Sequence, residues 1–80
     1  MKARVYVTLK STVLDPQGQT IQQAALRLGF KAVDGVRQGK VFDLEINGAT
    51  PEEAREQVER LAKEVLSNPV IEEYRCVFEE

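Results

Sequence analysis

The feature that most constrains this chain is a change of hydrophobic period along it. Residues 2–10 alternate, with Ala3, Val5, Val7 and Leu9 on one side and Lys2, Arg4, Tyr6, Thr8 and Lys10 on the other, the pattern of a strand with one wet face. Tyr6 falls on the polar side, where it reads as an amphipathic cross-strand packer. The spacing then widens: Ile21, Ala24, Ala25 and Leu28 recur at i, i+3, i+4 and i+7, one apolar stripe of a helix. Gly29 is placed as its stop, with Phe30 expected to fold back onto the core. Two starts compete. Asp15 before Pro16 makes a cap followed by a proline tolerated in the first turn, while Thr20 with Gln23 three residues on makes a later one.

The midpoint returns to a period of two. Phe42, Leu44 and Ile46 face one way and Asp43, Glu45 and Asn47 the other. The pair Gln38-Gly39 interrupts this pattern and predicts a hairpin, with strands over residues 32–37 and 40–46; a single long strand with a bulge near Gly35 or Gly39 is the competing reading. Thr50-Pro51-Glu52-Glu53 is then a strong helix opening, with a Thr cap, Pro next and Glu at the capping-box position. Ala54, Val58, Leu61, Ala62, Val65 and Leu66 form its buried stripe, and Ser67-Asn68-Pro69 ends it because the residue before Pro avoids helix. In the last strand Tyr74, Cys76 and Phe78 share one face and Ile71, Arg75 and Val77 the other. A strand wetted on one side does not carry apolar groups on both, so the second face is expected to meet another subunit.

Strand, helix, strand, strand, helix, strand is the split βαβ order. It predicts a single domain over residues 1–80 with a ferredoxin-like βαββαβ fold, α+β, its antiparallel sheet covered on one face by both helices. At 80 residues the core is small, and a homodimer or higher oligomer is expected to extend it.

Composition removes whole classes of function. The chain has no histidine and one cysteine, Cys76, so the commonest general base, the usual partner of a nucleophile and any multi-thiolate metal site are missing together. No catalytic, cofactor-binding or metal-ligating residue is expected. A net charge of −2 without a basic stripe argues against nucleic acid, even with Tyr6 and Phe42 on strands. No stretch approaches the roughly 20 apolar residues of a membrane span. The segment from Met1 lacks the apolar block of a secretory signal, and a cytoplasmic location is expected.

Three segments together carry a resemblance: Val7-Thr8-Leu9-Lys10 leading to Val13-Leu14-Asp15-Pro16-Gln17-Gly18, then Val36-Arg37-Gln38-Gly39-Lys40, then Leu66-Ser67-Asn68-Pro69-Val70-Ile71-Glu72-Glu73-Tyr74. Each alone is weak, but in this order and spacing, over nearly the whole chain, they resemble the PurS family, the small subunit of phosphoribosylformylglycinamidine synthase of purine biosynthesis. The resemblance implies a non-catalytic subunit of an ATP-dependent amidoligase complex. Its implied partners are a large synthetase (PurL-type) subunit, which uses ATP and Mg, and a glutaminase (PurQ-type) subunit. Such a complex converts formylglycinamide ribonucleotide to its amidine with glutamine-derived ammonia, the small subunit bridging the other two and aiding ammonia transfer. Arg37, Lys40, Asn68 and Tyr74 are then the expected partner-contact residues. Against this stand plainer readings: Arg37 and Lys40 as solvated charges beside a turn, Asn68 and Pro69 as a helix stop. A stand-alone small-molecule-sensing domain is the alternative function.

Overall fold

In the computed structural model, which describes residues 1–79, the alternating amino-terminal segment is the strand that the rest of the sheet is built on. β1 (Lys2–Leu9) lies between β2 (Gly39–Glu45) and β3 (Glu72–Glu79) and is antiparallel to both. The register sets Phe42, Val5 and Cys76 in one cross-strand row and Val41, Tyr6 and Arg75 in the next. Because directly opposed residues share a face, the inner face carries Ala3, Val5 and Val7 flanked by Phe42 and Leu44 on one side and Tyr74, Cys76 and Phe78 on the other. On the outer face Arg4 Nε donates to Asp43 Oδ1 at 2.7 Å, and the Arg75 guanidinium lies 4.4 Å from the centre of the Tyr6 ring. Tyr6 is thus a cross-strand packer, as its place in the alternation predicts.

α2 (Pro51–Leu61) opens as expected, with the Thr50 hydroxyl accepting from Glu53 N–H at 3.2 Å and Pro51 following the cap. It covers the inner face with Ala54 and Val58 and continues into a π-helical turn, Ala62–Leu66, that buries Ala62. Each i→i+5 turn sets the side-chain phase back relative to an α-helix. Val65, expected on the buried stripe, is therefore 70% exposed, while Leu66, expected there too, packs against the core. The fully buried core consists of Ala3, Val5, Val7, Ala54, Val58 and Ala62.

α1 (Pro16–Arg27) begins at the earlier of its two candidate caps: Asp15 Oδ1 accepts from Gly18 N–H at 2.9 Å, while the Thr20 hydroxyl donates to the Pro16 carbonyl. It ends in a Schellman turn, with Phe30 N–H on the Ala25 carbonyl, Gly29 N–H on Leu26, and Gly29 at φ 98°, a conformation a side chain disfavours. Phe30 does not fold back onto the core; it is 60% exposed, and Leu28 is 77% exposed. α2 and its π-turn pack on β3, whereas α1 has no comparable packing on any strand. Eight residues of β1 span about 27 Å and twelve of α1 about 18 Å, and together they account for most of the 50 Å long axis. The helix therefore prolongs the sheet from its end.

These three antiparallel strands and two helices make a ferredoxin-like α+β fold with one strand fewer than expected. The strand over residues 32–37 does not form, nor does the hairpin at Gln38-Gly39 or the single bulged strand. The backbone groups that a ladder would need are spent on α1. The carbonyls of Val33 and Asp34 accept from Gln22 Nε2, and Gln38 N–H donates to Asp15. Gly39 does not make a reversal; it is the first residue of β2, where an added Cβ would lie 2.8 Å from the Val7 carbonyl oxygen.

Candidate partner-contact surface

β1 leaves the sheet at the same end at which β2 and β3 enter it, so segments far apart in sequence meet there. Lys40 and Tyr74 both pair with Val7, one from each side, which places them in a single cross-sheet row on the inner face. Lys40 is exposed. Tyr74 is half-buried, and burial together with the nearby Glu59 carboxylate pushes its phenol above the usual tyrosine range.

Arg37 and Asn68 join this row through Lys10. Arg37 Nη2 donates to the carbonyls of Lys10, at 3.0 Å, and Val13, at 2.9 Å, so its guanidinium staples the β1–α1 connection to the segment entering β2. Lys10 N–H in turn donates to the Ile71 carbonyl at 2.9 Å. The loop before β3 is organised by Asn68: its carbonyl accepts from the N–H groups of Ile71 and Glu72, its side-chain oxygen accepts from Val70 N–H at 3.1 Å, and its own N–H donates to Glu72 Oε1 at 2.7 Å. All four expected contact residues thus lie at one end of the sheet. Two of them, Arg37 and Asn68, have hydrogen-bonded work inside the chain.

The residue that the sequence undervalued is Asp15. It reads as a cap, and its first carboxylate oxygen is one; its second oxygen accepts from Gln38 N–H at 2.7 Å. Gly18 completes the junction, because a Cβ there would lie 2.2 Å from the Val36 carbonyl oxygen. The Gln38 and Gly18 N–H groups hold the Asp15 carboxyl below the usual carboxylate range. A clue was available: an ionised Asp has more acceptor sites than one cap uses, and the polar stretch at Gln38 had no assigned partner.

Among the described residues no cluster of acidic or thiol side chains has the makings of a metal site. Cys76 faces the core, where burial, and then Glu59, push its thiol up to about 11, the opposite of what a nucleophile needs. The cleft at this end, between Leu9, Gln17, Lys40 and Glu72, holds ≈ 200 Å³, less than the 300–1,000 Å³ of typical small-molecule sites. A larger one of ≈ 600 Å³ lies on the outer face, where Lys2, Arg4, Asp43, Glu45 and Glu79 stand beside Tyr6, Leu44 and Val77, a mixed lining where small-molecule sites are predominantly apolar.

Comparison with known proteins gives a uniform result. Residues 2–80 match the family profile of PurS, described as phosphoribosylformylglycinamidine (FGAM) synthase. The phosphoribosylformylglycinamidine synthase subunit PurS of Methanocaldococcus jannaschii is 42% identical over 78 residues, covering 98% of this chain and 94% of that one. A solved Bacillus subtilis PurS structure superposes with a TM-score of 0.89 at 39% identity, covering 99% of this chain and 98% of the other. A chain from the structure of PurLQS from Thermotoga maritima does so with a TM-score of 0.86 at 36% identity, covering 95% and 93%.

Proposed function

The chain belongs to the PurS family, and from that premise we propose that it is the small, non-catalytic subunit of a phosphoribosylformylglycinamidine synthase, acting as one unit over residues 1–80 in the cytoplasm. The observation that carries the reading is the near-full-length likeness to a chain of the Thermotoga maritima PurLQS structure. The absence of histidine and the raised thiol of Cys76 fit it, since the commonest general base and an activated thiol are both missing. In this reading ATP and Mg serve the synthetase subunit, ammonia comes from the glutaminase subunit, and this chain bridges the two and aids ammonia transfer.

The end of the sheet where Arg37, Lys40, Asn68 and Tyr74 converge is the partner-contact surface of this proposal. Lys40, exposed and without a side-chain hydrogen bond or ion pair among the described residues, and the half-buried Tyr74 are its contact groups, and a carboxylate-bearing patch on a neighbour suits Lys40. Arg37 and Asn68 hold the loops that frame them. The experiment is reconstitution of glutamine-dependent amidation from the synthetase and glutaminase subunits with and without this chain. Full activity in its absence would end the proposal. Lys40→Ala is expected to leave folding unchanged, as surface substitutions do, and to weaken co-purification with the other two subunits. Unaltered assembly and turnover would return Lys40 to a solvated charge.

A further inference from the structure

The cleft of ≈ 200 Å³ at the contact end of the sheet gathers residues from all three segments that carry the family resemblance. Val7 and Leu9 give it an apolar wall, Gln17 and Gln38 bring two primary amides, and Lys40 and Glu72 bring one charge of each sign. The register sets these charges on opposite flanks of β1, Lys40 opposite Val7 on β2 and Glu72 opposite Leu9 on β3. At ~4.8 Å between strands and ~3.4 Å per residue, their Cα atoms lie about 12 Å apart, and the two form no ion pair among the described residues.

These polar groups have hydrogen-bonding capacity to spare. Glu72 Oε1 accepts from Asn68 N–H at 2.7 Å, which leaves Oε2 open. The side chains of Gln17, Gln38 and Lys40 make no hydrogen bond or ion pair among the described residues. Asp15, the remaining charge, is 4% exposed, and each of its oxygens already accepts an N–H group. An ion entering this cleft meets its own sign, an anion at Glu72 and a cation at Lys40. A neutral primary carboxamide meets neither conflict: its carbonyl accepts from Lys40, its NH₂ donates to Glu72, and the amides of Gln17 and Gln38 both give and take. The volume holds about seven water-sized groups at ~30 Å³ each, enough for one side chain with the peptide that carries it.

We propose that this cleft is an anchor pocket for a single uncharged carboxamide side chain, Gln or Asn, presented by a neighbouring subunit of the complex. Interfaces concentrate their binding energy in a few side chains seated in well-packed pockets, and an uncharged occupant costs less to desolvate than an ion. Lys40 has three N–H donors, so one serves the carboxamide while the others face carboxylates around the cleft. The inference rests on the subunit reading and names the chemistry of its contact.

The test is the affinity of the full chain for the synthetase and glutaminase subunits at physiological ionic strength, where charges more than ~8 Å away are largely screened. Lys40→Met and Glu72→Gln, the second of which keeps Oε1 for Asn68, are each expected to weaken binding about tenfold. Gln17→Trp, at an exposed position, puts a larger side chain in the cleft and is expected to weaken binding at least tenfold while keeping the far-ultraviolet circular dichroism. The signs identify the occupant. Tighter binding by Glu72→Gln would mean an anion and tighter binding by Lys40→Met a cation; either overturns the proposal, as does undiminished binding by Gln17→Trp. Should Gln17→Trp lose its fold, the other two variants decide. Free L-glutamine and L-asparagine at millimolar concentration are expected to leave the amide NMR signals of residues 38–40 of the chain alone unmoved, and saturable shifts would make the cleft a metabolite site and overturn the docking of a side chain. Wild type that failed to bind the other subunits would refute the subunit reading and this inference with it, whereas wild-type binding unaltered in all three variants would refute this inference alone.

Discussion

Gly18→Ala is the substitution whose sign the structure reverses. Gly18 is the third residue of α1, and replacing a helical Gly by Ala ordinarily stabilises by up to about 1 kcal/mol. Here the new Cβ would lie 2.2 Å from the Val36 carbonyl oxygen and 2.9 Å from Asp15 Oδ2. The first is a backbone atom of the segment that Gln38 and Arg37 anchor, so relief requires that segment to move. Overpacking of this kind costs about 1–3 kcal/mol, and set against the helical gain it leaves a net destabilisation of up to roughly 2 kcal/mol. With a urea dependence near 1 kcal/mol per molar for a chain this small, the unfolding midpoint should fall by about 1 M. Gly35→Ala is the control. Nothing lies within 4 Å of a Cβ there and its φ is not positive, so a gain of about 0.4–1 kcal/mol is expected from the stiffer unfolded chain. If Gly18→Ala raised the midpoint as Gly35→Ala does, the close junction between α1 and the segment entering β2 would be refuted.

Three other outcomes follow from individual side chains. The Asp15 carboxyl is held below its ordinary value of 3.8 by N–H groups that exist only in the fold, so its contribution is present above pH ~4 and is lost as pH falls through the lowered folded value. The stability gap between wild type and Asp15→Asn, followed by thermal melts, should hold steady above pH 5 and close in acid; a gap independent of pH would contradict the clasp. Cys76, with its thiol at about 11 against an ordinary 9.0, should carry roughly a hundredfold less thiolate at pH 8 than a free cysteine and react with a disulfide reagent correspondingly slowly, until denaturant restores the ordinary rate. Val58→Ala, at a site 2% exposed, removes two carbons worth about 0.8 kcal/mol each and leaves a cavity. A loss of about 2–3 kcal/mol in chemical denaturation is expected, and a loss under 1 kcal/mol would place Val58 outside the core.

How much was legible depended on whether a signal was local. The alternation of β1 and the cap at Thr50-Pro51 are written within a few residues, and both elements form where the pattern puts them. Residues 32–37 have comparable strand character, yet the carbonyls of Val33 and Asp34 are taken by Gln22 and the adjoining Gln38 N–H by Asp15, side chains at least ten residues away in sequence. No periodicity reports such a claim on the backbone. Val65 failed for a different reason, because a π-turn alters the phase on which the helical stripe is counted. At the candidate surface, residue types pointed to Arg37 and Lys40 together, but only the hydrogen bonds of Arg37 to Lys10 and Val13 separate a residue that builds the surface from one free to make contact.

That separation changes what a loss-of-function result at Arg37 would mean. Arg37→Ala removes two donors from the carbonyls of Lys10 and Val13 and loosens the β1–α1 connection, so assembly would suffer even if no partner ever touched the guanidinium. Arg37→Lys distinguishes the two roles, since its ammonium keeps the charge that an acidic partner reads but sits nearer the backbone than Nη2, the one nitrogen that reaches both carbonyls. If Arg37 acts by contact, Lys should rescue binding to the other subunits. If it acts by holding the β1–α1 connection, Lys should behave like Ala in binding, and α1 amides should lose hydrogen-exchange protection in both variants. The distances favour the second outcome, and rescue of assembly by Lys with α1 still protected would refute it.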